Sequence, residues 1–256
     1  MTRFRHPDTA ALVLAAGQGT RMNSDLPKVL HPMAGQPLLA HVLAALDEVG
    51  VGRTLVVIGH QAYRVRATFA EAEVEWVLQA EQRGTGHAVL MAGPALEDFE
   101  GTLLVVCGDT PLLRAATLEA LLVDHRARGA AVTVLSTRVP EATGYGRILR
   151  DGAGQVLGIV EECDATPAQK TIDEINSGAF AFEYKDLVRV LGRLTARNSQ
   201  GEYYLTDTVR LLLDEGRKAS AWCGPDYREL LGINTLQQLE EAEALHHALR
   251  RGEGAR

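Results

Sequence analysis

The chain has 256 residues, 46% of them apolar and 23% charged, enough to bury one large α/β domain or two small ones. Its formal net charge of −7 argues against non-specific nucleic-acid binding, which needs a basic face, so any anionic substrate has to be held by locally concentrated cations. No apolar run approaches a membrane span, MTRFRHPDTA lacks a signal peptide's apolar core, and three scattered cysteines (Cys107, Cys163, Cys223) outside any CxxC pattern make neither a disulfide framework nor a zinc site.

These features predict a soluble, cytoplasmic protein with free thiols and with neither nucleic acid nor membrane as a partner. Residues 1–10 read as a loose, flexible tail. The apolar run from Ala11 to Ala16, bounded by glycine, reads as a strand buried on both faces of a parallel sheet. Pro37 pre-sets a helix start, and LLAHVLAAL continues at helical spacing until Gly50 ends it. TLVVIG, EWVLQ, TLLVVC and AVTVLST follow as strands, with helices expected from Ala62 to Phe69, from His87, and from Ala115 to Arg128. Strands and helices alternating at this spacing predict an α/β fold, a Rossmann-like, doubly wound and mostly parallel sheet. Beyond Pro140 the rhythm changes to short strands (RILR, VLGIV, GAFAF) between glycine turns, which predicts a smaller antiparallel lobe. Helices near 185–194 and 205–215, a strand near 219–223 and a last helix from Thr235 to Arg250 complete the chain. The divisions expected are 11–139, 140–234 and a C-terminal helix or linker over 235–256.

The stretch LVLAAGQGTRMNSDLPKVLH, Leu12 to His31, carries the first chemical signal. Gly17 and Gly19 can take positive φ and let backbone N–H groups close on an anion. Arg21 and Lys28 place two cations in the same short loop, an arrangement suited to a polyphosphate. Taken alone it is also an ordinary strand-to-helix connection with solvated charges. Asp109, directly after the run Leu103 to Cys107, puts one carboxylate at the rim of the sheet. Read from the residues alone it is a turn or cap residue first, and it also has the oxygen chemistry of a ligand for a hard cation. Asn234 reads as the N-cap of the last helix. In QAEQRGTGHA, the amide of Gln79 and the backbone near Gly84 and Thr85 mix donors with acceptors, or simply form a polar loop.

The full string is more specific. LAAGxGTRM followed by PKVLH, then QAEQRGTGHA, GDTPLL, TGYGRI, IVEECDAT, EINSGAF, GEYYLTD and GIN, resembles the signature of nucleoside-diphosphate-sugar pyrophosphorylases. Within them it resembles the N-terminal pyrophosphorylase domain of the bacterial bifunctional N-acetylglucosamine-1-phosphate uridylyltransferase/glucosamine-1-phosphate acetyltransferase family. The resemblance implies a fold of the nucleotide-diphospho-sugar transferase type, with a nucleotide-binding half (11–139) and a sugar-binding half (140–234). It implies an enzyme that joins UTP and N-acetylglucosamine-1-phosphate with the help of Mg2+, giving UDP-N-acetylglucosamine and pyrophosphate for cell-wall precursors. Arg21 and Lys28 would be catalytic, and Leu14, Ala15, Ala16, Gly17, Gln79, Gly84 and Thr85 would hold the nucleotide. Gly146, Glu161 and Asn176 would hold the sugar, and Asp109 and Asn234 the metal. Alternatives are a thymidylyl- or cytidylyltransferase acting on another sugar phosphate, or a non-catalytic sugar-nucleotide-binding module.

No six-residue β-helix repeat is present, whereas in the family such repeats form the acetyltransferase half and largely hold its homo-oligomers together. Cys107 stands where the family has Tyr and reads as a buried strand thiol. Glu162 reads as a solvated face residue, and Tyr145 either lines the pocket or packs. His31 and His87 read as structural, and the adjacent His246 and His247 as a poor metal pair.

Overall fold

An apolar run without polar alternation calls for cover on both of its faces. The computed structural model describes residues 6–250. Its strands are β1 (His6–Ala15), the short β2 (Pro32–Met33) and β3 (Gln36–Pro37), β4 (Val51–Ile58), β5 (Glu75–Leu78), β6 (Thr102–Cys107), β7 (Val132–Arg138), β8 (Arg147–Arg150), β9 (Val156–Val160), β10 (Glu174–Glu183) and β11 (Ala219–Cys223). The helices are α1 (Leu38–Val49), α2 (Ala62–Thr68), α3 (Thr85–Met91), α4 (Ala115–Arg128), the single turn α5 (Pro167–Lys170), α6 (Tyr184–Leu191), α7 (Asp207–Asp214) and α8 (Leu236–Arg250).

The main sheet runs β11-β7-β10-β6-β1-β4-β5, with β8 hooked onto β10 and β9 onto β8. Along β1, Ala10 and Leu12 enter one apolar cluster with α3, α6 and α7, while Ala11, Val13 and Ala15 enter a second with α1, α2 and α4. β4 and β6 divide their side chains in the same way, which gives helix layers on both faces of the sheet. A third cluster of Met22, Met33, Leu38, Leu112, Ile233 and Leu239 fastens α8 over the loop that follows β1. No helix among the described residues is long and apolar enough to cross a membrane.

Two expectations are corrected. The first strand starts at His6 rather than Ala11, so residues 6–10 of the expected tail belong to the sheet, and residues 1–5 lie outside the described residues. Polar composition hid this, because the segment is held by α4: Glu119 bonds His6 at 2.6 Å, and Arg126 bonds Asp8 and Thr9 at 3.0 Å. The strand GAFAF, assigned to a separate lobe, is the second half of β10, which lies between β6 and β7 and runs antiparallel to both. Its Phe180 and Phe182 face one cluster and its Ala179 and Ala181 the other, so it is buried like its parallel neighbours. Of the expected lobe, β8 and β9 project as a smaller antiparallel unit.

Candidate active site

In open α/β sheets, ligand clefts form outside the carboxyl ends of the strands, where the connecting loops diverge. Here that edge carries two adjoining hollows. One, of about 240 Å3, is bordered by Ala15, Gly17, Lys28, Gln79, Gly84 and Asp109. The other, of about 220 Å3, is bordered by Tyr145, Gly146, Glu161, Asn176, Thr206 and Asn234. Leu14, Thr85, Cys107 and Asp109 border both. Every residue expected from the sequence lines this double cleft except Arg21, which bonds Asn234 at its edge. A larger cavity of about 620 Å3, beside Gly52, Arg53 and Glu75, lies at the opposite, amino-terminal end of β4 and β5 and contains none of them.

At the centre, Lys28 Nζ donates to Asp109 Oδ2 and, at 3.1 Å, to Asn234 Oδ1. Arg21 Nη2 donates to the same Asn234 oxygen at 2.8 Å. The loop's close fold depends on Gly19, which has φ +66°; a Cβ there would lie 2.7 Å from Lys28 Cβ. Gly17 does not take the positive φ expected of it, and a Cβ there would meet nothing within 4 Å, so its smallness leaves space for a ligand. Asn234 is not the cap of the last helix. Thr235 Oγ1 accepts from Gln238 N at 3.2 Å, and Gln238 Oε1 accepts from the backbone of Asn234 (2.7 Å) and Thr235 (3.2 Å), a capping box that leaves the Asn234 side-chain oxygen for the cleft while its nitrogen donates to Gly232 O at 3.2 Å.

In the first hollow, Gln79 is 3% exposed and Nε2 donates to Gly84 O at 3.1 Å and to His87 Nδ1 at 3.0 Å. Both amide hydrogens are thus used, and the oxygen is the atom left for a ligand. His87 is structural, as expected. Thr85 Oγ1 accepts from Leu205 N at 3.0 Å, and Gly86 N donates to Tyr203 O at 2.8 Å, so the GTG turn is laced to the YYLTD segment.

The second hollow is built from half-buried polar groups backed by the buried Thr206. Glu161 Oε1 accepts from Thr206 Oγ1 at 2.8 Å, and burial pushes the Glu161 carboxyl above its ordinary value against the opposing pull of that bond. A Cβ on Gly146 would lie 3.1 Å from Glu161 Oε2, so glycine there lets carboxylate and backbone share one wall. Asn176 N donates to Gly146 O at 2.8 Å. The pairing of β10 with β7 slips between Asn176 and Ala179, where Gly178 takes φ +83°, and Asn176 Oδ1 accepts from Gly178 N at 2.9 Å.

Cys107 sits half-buried at the end of its strand, 3.6 Å from Gly178 O, with its thiol pushed up to about 12 by burial and by the nearby Asp109. It lines both hollows rather than the strand interior. Glu162 is not a solvated face residue: it pairs with buried Arg147 at 2.7 Å and with Lys170 at 3.1 Å. The sequence reading missed Thr206 and Arg147 as site-building residues. Both lie inside quoted motifs, GEYYLTD and TGYGRI, but nothing local marks them as buried.

Similarity to known proteins points the same way. The bifunctional protein GlmU of Thermobifida fusca is 51% identical over 245 residues, covering 93% of this chain and 51% of the relative. That of Syntrophotalea carbinolica is 49% identical over 242 residues, covering 94% of this chain and 52% of the relative. The chain therefore spans about half the length of the curated relatives it matches. A crystal structure of UDP-glucose pyrophosphorylase complexed with UDP-glucose shares the fold, with TM-score 0.76 at 18% identity, covering 94% of this chain and 99% of that one. The family model for the MobA-like NTP transferase domain matches residues 11–172, and this chain belongs to that family.

Proposed function

We propose that this chain is a uridylyltransferase, joining UTP to N-acetylglucosamine-1-phosphate with release of pyrophosphate. The observation that carries the reading is the meeting of Arg21, Lys28, Asp109 and Asn234 on the seam between two hollows, one suited to a nucleotide and one to a sugar. The bifunctional relatives, about 50% identical over this region, support the choice of substrates.

A phosphate monoester has a second pKa near ~6, so the sugar phosphate arrives as an ionised nucleophile and needs no general base. The barrier is the approach of two polyanions and the charge that gathers on the phosphoryl oxygens. Arg21 and Lys28 oppose that charge from the strand-tip loop, and Lys28 exchanges its present oxygen partners for phosphate as the nucleotide enters. Gln79 offers its oxygen to the uracil N3–H, while Glu161 and Asn176 offer a carboxylate and an amide to sugar hydroxyls.

The donor set also fits a divalent cation. Asp109 and Asn234 bring two hard oxygens to one cationic point, now held by the lysine ammonium, and Mg2+ prefers one or two protein oxygens completed by phosphate and water. A cation at that point would neutralise phosphate charge.

Pyrophosphate release, measured across four nucleoside triphosphates and a panel of sugar-1-phosphates with and without Mg2+, tests the reading. Turnover with UTP and N-acetylglucosamine-1-phosphate far above every other pair is expected. A chain that binds the sugar nucleotide but releases no pyrophosphate with any pair would be a binding module instead.

A further inference from the structure

Arg147 is 2% exposed, and a guanidinium at that depth persists only where its hydrogens find acceptors. Its three arms reach three separate segments. Nε donates to Ile172 O at 3.1 Å, Nη1 to Tyr145 O, and Nη2 to Glu162 Oε2 at 2.7 Å. Each acceptor lies beside a residue of the proposed sugar hollow. Tyr145 precedes Gly146, Glu162 follows Glu161, and Ile172 enters the strand that begins at Glu174 and carries Asn176. The Arg147 backbone stands at the same junction, paired with Ile175 of β10 and Val160 of β9.

We infer that Arg147 is a positioning residue for the sugar phosphate, its forked side chain fixing Gly146, Glu161 and Asn176 relative to one another without touching the ligand. The inference rests on the sugar-side reading of that hollow. A lysine would keep the charge but, as a single point on a flexible stem, could not hold three acceptors lying in three directions. Glu162 completes the device: held by Lys170 Nζ at 3.1 Å on its other oxygen, it supplies the charge that makes burial of the guanidinium affordable. No arm of Arg147 reaches the Gly17–Lys28 loop or the Gln79–Thr85 turn, so the nucleotide side should not register its loss.

The test is steady-state kinetics of Arg147→Lys with each substrate varied in turn. The expected result is a KM for N-acetylglucosamine-1-phosphate raised at least about tenfold, with the KM for UTP within about twofold of the wild type. A purely architectural role would lower thermal stability and the active fraction without splitting the two KM values. Equal movement of both, or an unchanged sugar KM, therefore overturns the inference. Should Arg147→Lys not accumulate as folded protein, Glu162→Gln carries the same test, because it keeps an acceptor and removes the charge. A rise of about threefold confined to the sugar KM supports the positioning role, and no rise or an equal one overturns it. Failure of the underlying reading looks different. In that case Asn176→Ala leaves the sugar KM unchanged, or the wild type turns over no sugar phosphate at all.

Discussion

On the nucleotide side of the cleft the cations are long side chains on one loop: Arg21 is exposed, Lys28 is half-buried, both donate to a single Asn234 oxygen, and Lys28 is also paired with Asp109. On the sugar side the polar groups are held by fixed neighbours, with Thr206, at the start of α7, holding Glu161 and Arg147 of β8 holding Glu162, just past the end of β9. The difference follows the ligands. A triphosphate carries charge that long mobile cations can follow as it changes, whereas sugar hydroxyls are recognised by neutral geometry, which demands fixed partners. Nucleotide-side substitutions should therefore act on kcat, and sugar-side ones on the KM of one substrate.

The largest effect is expected from Asp109→Ala. It removes the one carboxylate that, among the described residues, borders both hollows, and should lower turnover about a thousandfold at saturating substrates. Binding of Mn2+ in the presence of UTP, followed by its paramagnetic signal, should weaken in parallel; unaltered Mn2+ binding would remove Asp109 as a ligand. Lys28→Ala should cost about 3 kcal/mol of transition-state stabilisation, or roughly a hundredfold in kcat, with a smaller change in UTP affinity. If only the KM moves, the nucleotide side is a binding surface and the contrast between the two sides collapses.

Much of this contrast was readable beforehand, and the unread parts have a common cause. The helix Ala115–Arg128 and the strand Ala219–Cys223 lie where sequence puts them, because glycine stops and apolar periodicity are local signals. The nucleotide loop was also legible, since its residues are neighbours in the chain. The place of β10 inside the main sheet was not, because pairing with β6 and β7 joins residues 36 or more positions apart. For the same reason Glu162 looked solvated, its partner Arg147 being 15 residues away and buried. Read without the family resemblance, Asn234 suggests a cap, whereas Thr235, one residue later, does that work.

Glu161→Gln gives a moderate effect and a pH signature. Burial raises the wild-type carboxyl, so its proton is kept at a pH where an unfolded glutamate has already lost it, about 4.3 upward. The sign follows: in that window the native state binds more protons than the unfolded chain, and stability contributed by this group falls as pH rises. Ligand binding that needs the carboxylate runs the other way and weakens as pH drops through the raised value. The sugar KM of the wild type should thus climb on acidification relative to that of Glu161→Gln. The variant itself should bind the sugar phosphate about tenfold more weakly at neutral pH, yet melt no lower. A lower melting temperature would mean that the charge serves the fold.

The smallest effect belongs to Arg53→Ala, at the larger cavity on the far edge. Its ion pair with Glu75 is exposed and should contribute under about 1 kcal/mol, leaving turnover unchanged. A loss of activity there would show that the two edges of the sheet communicate.

The antiparallel insertion of β10 has a consequence for biosynthesis. Among the described residues β7 pairs only with β10 and β11, so a nascent chain that has emerged through residue 139 holds a completed strand without a neighbour. The flank of β6 stays bare as well until residues 174–183 leave the ribosome. The first half is thus an intermediate with an open hydrogen-bonding edge, prone to sticking to its own kind. Fragments cut near residue 139 should accordingly precipitate rather than fold, even though every element of the triphosphate loop is already in them.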